Sequence, residues 1–213
     1  MARLALPVLV AFAMTLACRA PEKGSVSDAP TPGGVETASL SGRAPRATGG
    51  FASVLTFEPL AAGPTTARAG GEPPILDQFG TAFEPRVLVA RKGERVTFRN
   101  SEDVLHNVHV KDRASGETVF NVATIPYGVY EHRFEVPGVY DVSCDTHPAM
   151  AAFLVVTDAP FAIVAAADGA FEMDAVPTGR YRVTVWNLDP ERCLEREVSI
   201  EGPRSEIDLE PSR

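Results

Sequence analysis

From about Ile75 to Asp158 the chain runs in short apolar–polar alternations broken by turn signals, a rhythm that points to β structure. Arg95-Val96-Thr97-Phe98-Arg99 places Val96 and Phe98 on one face of a half-buried strand. Pro85 to Ala90, Val104 to Val110, Thr118 to Val122, Val129 to Val136, Val139 to Cys144 and Ala152 to Thr157 read as further strands. Lys92-Gly93-Glu94, Ser115-Gly116, Pro126-Tyr127-Gly128 and Pro137-Gly138 punctuate them. Seven or so short strands in about 84 residues, with no long segment of helical period, predict an all-β sandwich.

The flanks follow a different rhythm. Ala38 to Gly42 and Phe51 to Glu58 read as two isolated strands, followed by a Gly/Pro/Ala stretch from Pro59 to Pro74. After Pro160, strands are expected at Ala162 to Ala166, Phe171 to Met173, Arg180 to Trp186, Glu197 to Ile200 and Ser205 to Leu209. Asp168-Gly169 marks a hairpin and Pro177-Thr178-Gly179 another turn. Neither flank is long enough to bury a good core alone. The economical arrangement pairs both into a second small β-sandwich, with the central segment inserted between them. The expected division is 1–17 leader, 18–36 tether, 37–74 N-terminal strands and linker, 75–158 central domain, and 159–213 C-terminal segment.

The leader carries the compartment signal. Met1-Ala2-Arg3 precedes an apolar run from Leu4 to Ala17, about 14 residues and short of the ~20 a spanning helix needs. This fits an export signal. Thr15-Leu16-Ala17-Cys18 resembles a bacterial lipoprotein signal, departing from it at Thr15, which makes Cys18 the candidate lipidated residue and the membrane attachment. A plain secretory signal cleaved nearby is the alternative. The expected place is therefore the periplasm or cell envelope. Losing 1–17 removes Arg3 and takes the formal charge from −8 to −9. An acidic chain without a basic patch argues against nucleic-acid binding, and a monomer is expected.

Cys144, His147 and Met150 lie at i, i+3 and i+6 within one short loop. Thiolate, imidazole and thioether together suit copper cycling between two oxidation states. Strand parity proposes the fourth ligand: Val104, His106, Val108 and Val110 share the apolar face of their strand, whereas His109 falls on the polar face and is expected toward water. Tyr140, Val142 and Cys144 share a face as well, so Cys144 leaves its strand pointing inward and can meet His106. Asn107 is placed to tie the loop down and donate to the sulfur. Pro148 stiffens the loop and removes a competing donor. His132 is expected to be an exposed strand residue, and Glu102-Asp103, Glu191, Glu195 and Glu197 to lie in solvated loops.

Other chemistries fit less well. No paired carboxylates suggest general acid/base work. The chain has four histidines, too few for a multicopper oxidase, and Pro148 occupies the place a dinuclear copper loop would give a second cysteine. A zinc site would leave Met150 without a role. The odd cysteine count leaves Cys193 free or in an intermolecular bond, with a Cys144–Cys193 disulfide as the competing account.

From Asp77 to Thr157, through Phe83-Glu84-Pro85, His106-Asn107 and the Cys144–Met150 loop, the chain resembles the cupredoxins, the blue-copper family. The Cys-x-x-His-Pro-x-Met loop is similar to that of amicyanin, with pseudoazurin and plastocyanin as relatives. The His106…His109 doublet departs from the family's usual apolar strand. The resemblance implies a Greek-key β-sandwich and a single copper ion, Cu(I)/Cu(II), held by His106, Cys144, His147 and Met150, with Asn107 in support. It implies single-electron transfer to a redox partner protein rather than enzymatic turnover; a copper carrier or storage role is the alternative. Ala167-Asp168-Gly169-Ala170-Phe171 and Val176-Pro177-Thr178-Gly179-Arg180-Tyr181-Arg182-Val183 resemble the carboxypeptidase regulatory-like sandwich, an arrangement similar to methylamine-utilisation-type proteins.

Overall fold

The computed structural model describes residues 35–61 and 73–210. The expected leader, Cys18, most of the tether and most of the 59–74 linker lie outside the described residues. Among the described residues, no helix is long and apolar enough to cross a membrane.

Among the described residues, all regular structure apart from one 3₁₀ turn, Pro190–Arg192, is β. In chain order the strands are β1 (Thr37–Arg43), β2 (Val54–Pro59), β3 (Ile75–Phe79), β4 (Ala82–Glu84), β5 (Val87–Arg91), β6 (Arg95–Asn100), β7 (His106–Asp112) and β8 (Thr118–Thr124). They continue as β9 (Val129–Arg133), β10 (Gly138–Ser143), β11 (Ala151–Thr157), β12 (Phe161–Val164), β13 (Ala170–Pro177), β14 (Gly179–Trp186), β15 (Leu194–Ile200) and β16 (Arg204–Asp208).

The central segment forms one sandwich from a sheet ordered β4-β3-β6-β9 and a sheet ordered β5-β11-β10-β7-β8. Alternation drives it: Val96 and Phe98 of β6, Val108 and Val110 of β7, and Leu154 and Val156 of β11 point into a shared core with Leu76 and Phe83. The hairpin joining β3 and β4 has no counterpart in the sequence reading. Its two-residue turn, Gly80-Thr81, has φ of 63° and 53°. That is the left-handed pair a tight hairpin needs, written without the usual Asn-Gly or Asp-Gly signal.

The flanks build the second sandwich. β1 lies between β13 and β16, and β2 between β12 and β14, whose far side carries β15. Leu40, Leu55, Phe57, Tyr181, Val183 and Ile200 are among the residues of its core. At Gly169 (φ +90°) a Cβ would sit 2.0 Å from the Ala44 carbonyl oxygen, so the β12–β13 connection closes on the end of β1 only with glycine there. Glu195 stands on β15 rather than in a loop, as does Glu197 at the start of the strand expected there, and they pair with Arg182 and Arg180. Exposed pairs of this kind contribute little stability.

The two sandwiches share a third apolar cluster. Phe51, Val54, Val87, Phe153 and Val155 are buried there, with Trp186 and Leu188 packed against them. β11 is consequently covered on both faces: Ala152, Leu154 and Val156 toward the central core, Phe153 and Val155 toward the flanking sandwich. This explains why Ala151 to Val156 reads as a continuous apolar run rather than an alternation.

His132 is not a solvent-facing strand residue. Its ring packs 4.7 Å from both Phe120 and Phe134, on the half-covered side of β9. Burial pushes its pKa below the ordinary value. A native state that resists protonation loses stability as pH falls through the ordinary histidine value, about 6.5, toward the lowered one. Above that window the ring is neutral in both states and exacts no cost. His132→Phe is therefore expected to lose less thermal stability than wild type between pH 8 and pH 5, as measured by melting of the metal-free protein. Parallel pH profiles for the two proteins would contradict this.

Candidate metal centre

The site is assembled at one end of the central sandwich, where β7 begins and the β10–β11 loop returns. β7 starts at His106, two residues later than the apolar pattern suggests. Asn100 is fully buried and sets its Nδ2 against the carbonyls of Val104 (2.8 Å), Thr124 (2.9 Å) and Ile125 (3.1 Å). This draws Val104 out of the ladder and leaves it 42% exposed, instead of on the buried face. His106 itself is 1% exposed and faces inward with Val108 and Val110. Behind it, buried Gln78 donates to the Asn107 carbonyl (3.1 Å) and accepts from Thr124 Oγ1 (2.6 Å), joining β3 to β7 and β8.

The loop is closed by its own backbone. Cys144 N–H donates to the Met150 carbonyl (3.3 Å), and Met150 N–H donates to the His147 carbonyl (2.8 Å). The second bond makes His147 to Met150 a β-turn with Pro148 at its second position, where its fixed φ is suited. β10 and β11 are adjacent and antiparallel, pairing Ser143 with Ala151, so both loop ends start from fixed positions.

This geometry brings three donors together. The Nδ1 atoms of His106 and His147 are 3.0 Å apart, and the Cys144 Sγ lies 3.9 Å and 3.8 Å from them. All three ligand atoms fall within 4.8 Å of one another. Cys144 is 2% exposed and Met150 1%, both in the central core, whereas His147 is partly exposed. His106 Nε2 donates to Glu102 Oε2 (2.9 Å), which leaves the Nδ1 lone pair of a neutral ring directed at the other donors. Two imidazole nitrogens facing each other at 3.0 Å need a shared proton or a cation between them. A cation among two imidazoles and a thiolate would satisfy all three donors, and that donor set favours copper.

Glu102 is absent from the sequence-derived site, and Glu102-Asp103 is not simply a solvated loop. Burial alone would raise its carboxyl pKa; hydrogen bonds from the Thr81 N–H and from His106 bring it below the ordinary range. Its only sequence trace is a carboxylate four residues before a buried histidine.

Asn107 ties the loop down differently from expectation. Its Oδ1 accepts from the Asp145 backbone N–H (2.7 Å), which fixes the amide orientation, and sits 3.3 Å from the Cys144 Sγ. Its Nδ2 donates to Asn121 Oδ1 (2.8 Å) and Asp145 Oδ2 (3.0 Å), so the side chain offers the sulfur an acceptor and no donor. His109 does not open to water either: its side chain is 15% exposed, with Nδ1 on Asp145 Oδ1 and Nε2 on Thr118 Oγ1, both at 2.9 Å. Hydrogen bonds from His109 and then Asn121 hold the Asp145 carboxyl below its ordinary pKa. Cys144 and Cys193 are both free, the second exposed, so no disulfide joins them.

Residues 76–157 match the model of the copper binding proteins of the plastocyanin/azurin family. Among solved structures, the chain is similar to a copper(I) form of a mutant amicyanin, with 27% identity and a TM-score of 0.37, covering 48% of this chain and 98% of that one. The purple cupredoxin from Nitrosopumilus maritimus is 25% identical, with a TM-score of 0.35, covering 39% and 99%. Amicyanin from Paracoccus versutus is 20% identical, with a TM-score of 0.37, covering 48% and 98%. No curated protein matches the chain.

Proposed function

We propose that the chain, whose residues 76–157 match the copper binding proteins of the plastocyanin/azurin family, is a mononuclear blue-copper protein that carries single electrons between partners of the cell envelope. The supporting observation is the convergence of His106, Cys144 and His147 within 4.8 Å beside buried Met150. Copper bound there supplies a one-electron couple. The protein's share is to hold the donors still. Glu102 fixes the His106 tautomer, Gln78 braces the strand behind it, and the two backbone bonds across the loop keep Cys144, His147 and Met150 in one arrangement. A donor set that moves little between oxidation states gives low reorganisation, which fast electron transfer requires.

The partly exposed His147, flanked by exposed Pro148 and Ala149, is the proposed route for the electron. Leu105, Ile125 and Tyr127, 53%, 65% and 71% exposed, project from the loops that Asn100 and Glu102 tie beside His106. They form the proposed apolar surface for the redox partner. Export through 1–17 and anchoring through a lipid on Cys18 belong to the same proposal. They are supported by the leader pattern and tested by mass spectrometry of the mature N-terminus.

Reversible one-electron voltammetry of the copper-loaded protein, with fast self-exchange, is the expected result. An irreversible response with ready loss of copper to a chelator would replace the electron carrier with a copper carrier or storage protein.

A further inference from the structure

The His106…His109 doublet leaves one histidine that the copper site does not use, and that histidine holds the residue next to the cysteine ligand. We propose that Asp145, clamped by His109, Asn107 and Asn121, is a positioning residue that fixes the Cys144–Asp145 peptide and, through its charge beside the thiolate, favours the oxidised state of the centre. The inference rests on the copper-binding reading above.

The clamp is built from the outer side of the sheet. Asn107 and His109 are two apart on β7, opposite to the buried face carrying His106, and Asn121 of β8 pairs directly with His109. Asp145 accepts from donors on both strands: His109 Nδ1 on one oxygen, Asn121 Nδ2 (2.7 Å) and Asn107 Nδ2 (3.0 Å) on the other. His109 is itself oriented from behind by Thr118. Consecutive residues of the loop thus serve opposite faces, Cys144 inward and Asp145 outward, with the peptide between them gripped by the Asn107 amide. Asn107 Oδ1 contacts both the Asp145 N–H and the Cys144 sulfur. Any slackness in the clamp therefore reaches the thiolate through a single side chain.

The charge has a definite sign of effect. Reduction adds an electron to the centre, and a neighbouring carboxylate disfavours that step. Asp145→Asn removes the charge and replaces one of the two acceptor oxygens that the clamp holds with a donor.

The test uses the full chain, copper-loaded and metal-free. In copper-loaded D145N the Cu(II)/Cu(I) ratio at fixed potential is expected to fall about tenfold, an upward shift near 59 mV for a one-electron couple. His109→Phe keeps the carboxylate but removes its donor. It should change the copper(II) electron-paramagnetic spectrum and speed hydrogen exchange at the Asp145 amide of the metal-free protein. His109→Asn, which retains a donor at the Nδ1 position, should restore both. An unshifted potential in D145N, or unchanged amide exchange in His109→Phe, overturns the proposal; should D145N not fold, the His109 pair decides it. A wild type that takes up no copper would sink the functional reading instead, and amide exchange would still decide the clamp.

Discussion

Copper-loaded Cys144→Ser is expected to be colourless where the wild type is intensely coloured. The colour of such a centre comes from charge transfer between thiolate and copper(II), and serine offers no sulfur orbital for it. Copper affinity should fall by at least the ~10–100-fold that loss of a merely supporting partner costs. The sandwich should survive, because Cys144 occupies a small volume at the rim of a core whose bulk is carried by Phe83, Phe98 and Leu154. Visible absorption and chelator competition on the two proteins check this. A Cys144→Ser protein that keeps the band would remove the sulfur from the ligand set.

The largest stability loss is expected away from the metal, at the seam between the sandwiches. Phe153 stacks edge-on to Phe51 (4.6 Å between centroids), lies 5.2 Å from Trp186, and carries Arg113 over its ring at 5.0 Å. It is 7% exposed. Truncation to alanine removes contacts on both sides of the seam and leaves a cavity that two rigid sheets cannot close, a cost of about 3–5 kcal/mol. For a unit of this size that lowers the melting temperature by roughly 10 °C. Trp186, the single tryptophan, reports the change directly through its emission. A Phe153→Ala protein melting with the wild type would mean that the two sandwiches stand independently.

Much of this was legible in the sequence, because the signals were local. Period-two alternation located β6, β7 and β10, and the i, i+3, i+6 spacing located the loop, since each depends only on near neighbours. That the two flanks share one sandwich was suggested by two strands with no partner nearby, though not that β1 lies between β13 and β16. What escaped depended on contacts across the fold. Glu102 looks like a loop carboxylate until the chain turns it under His106. Gln78 reads as an ordinary polar residue until β3 lies against β7. Parity gives the face that His109 takes but not what covers it, and nothing local announces the Phe120 and Phe134 rings that pack on His132. The amide of Asn107, on β7, reaches the loop but turns the other way from the sequence expectation, since Asp145 presents both a carboxylate and an N–H to it.

The nesting of one sandwich within another also sets an order of assembly. Strands β3 to β11 pair among themselves, so the copper-binding region can close as soon as Thr157 is available. β1 and β2 must instead wait for β12 to β16, across loops of more than 100 residues whose closure is slow to be rewarded. During that interval Phe153 and Val155 stand uncovered on a sheet that is otherwise complete. The nascent chain is then competent for metal before it is protected from self-association.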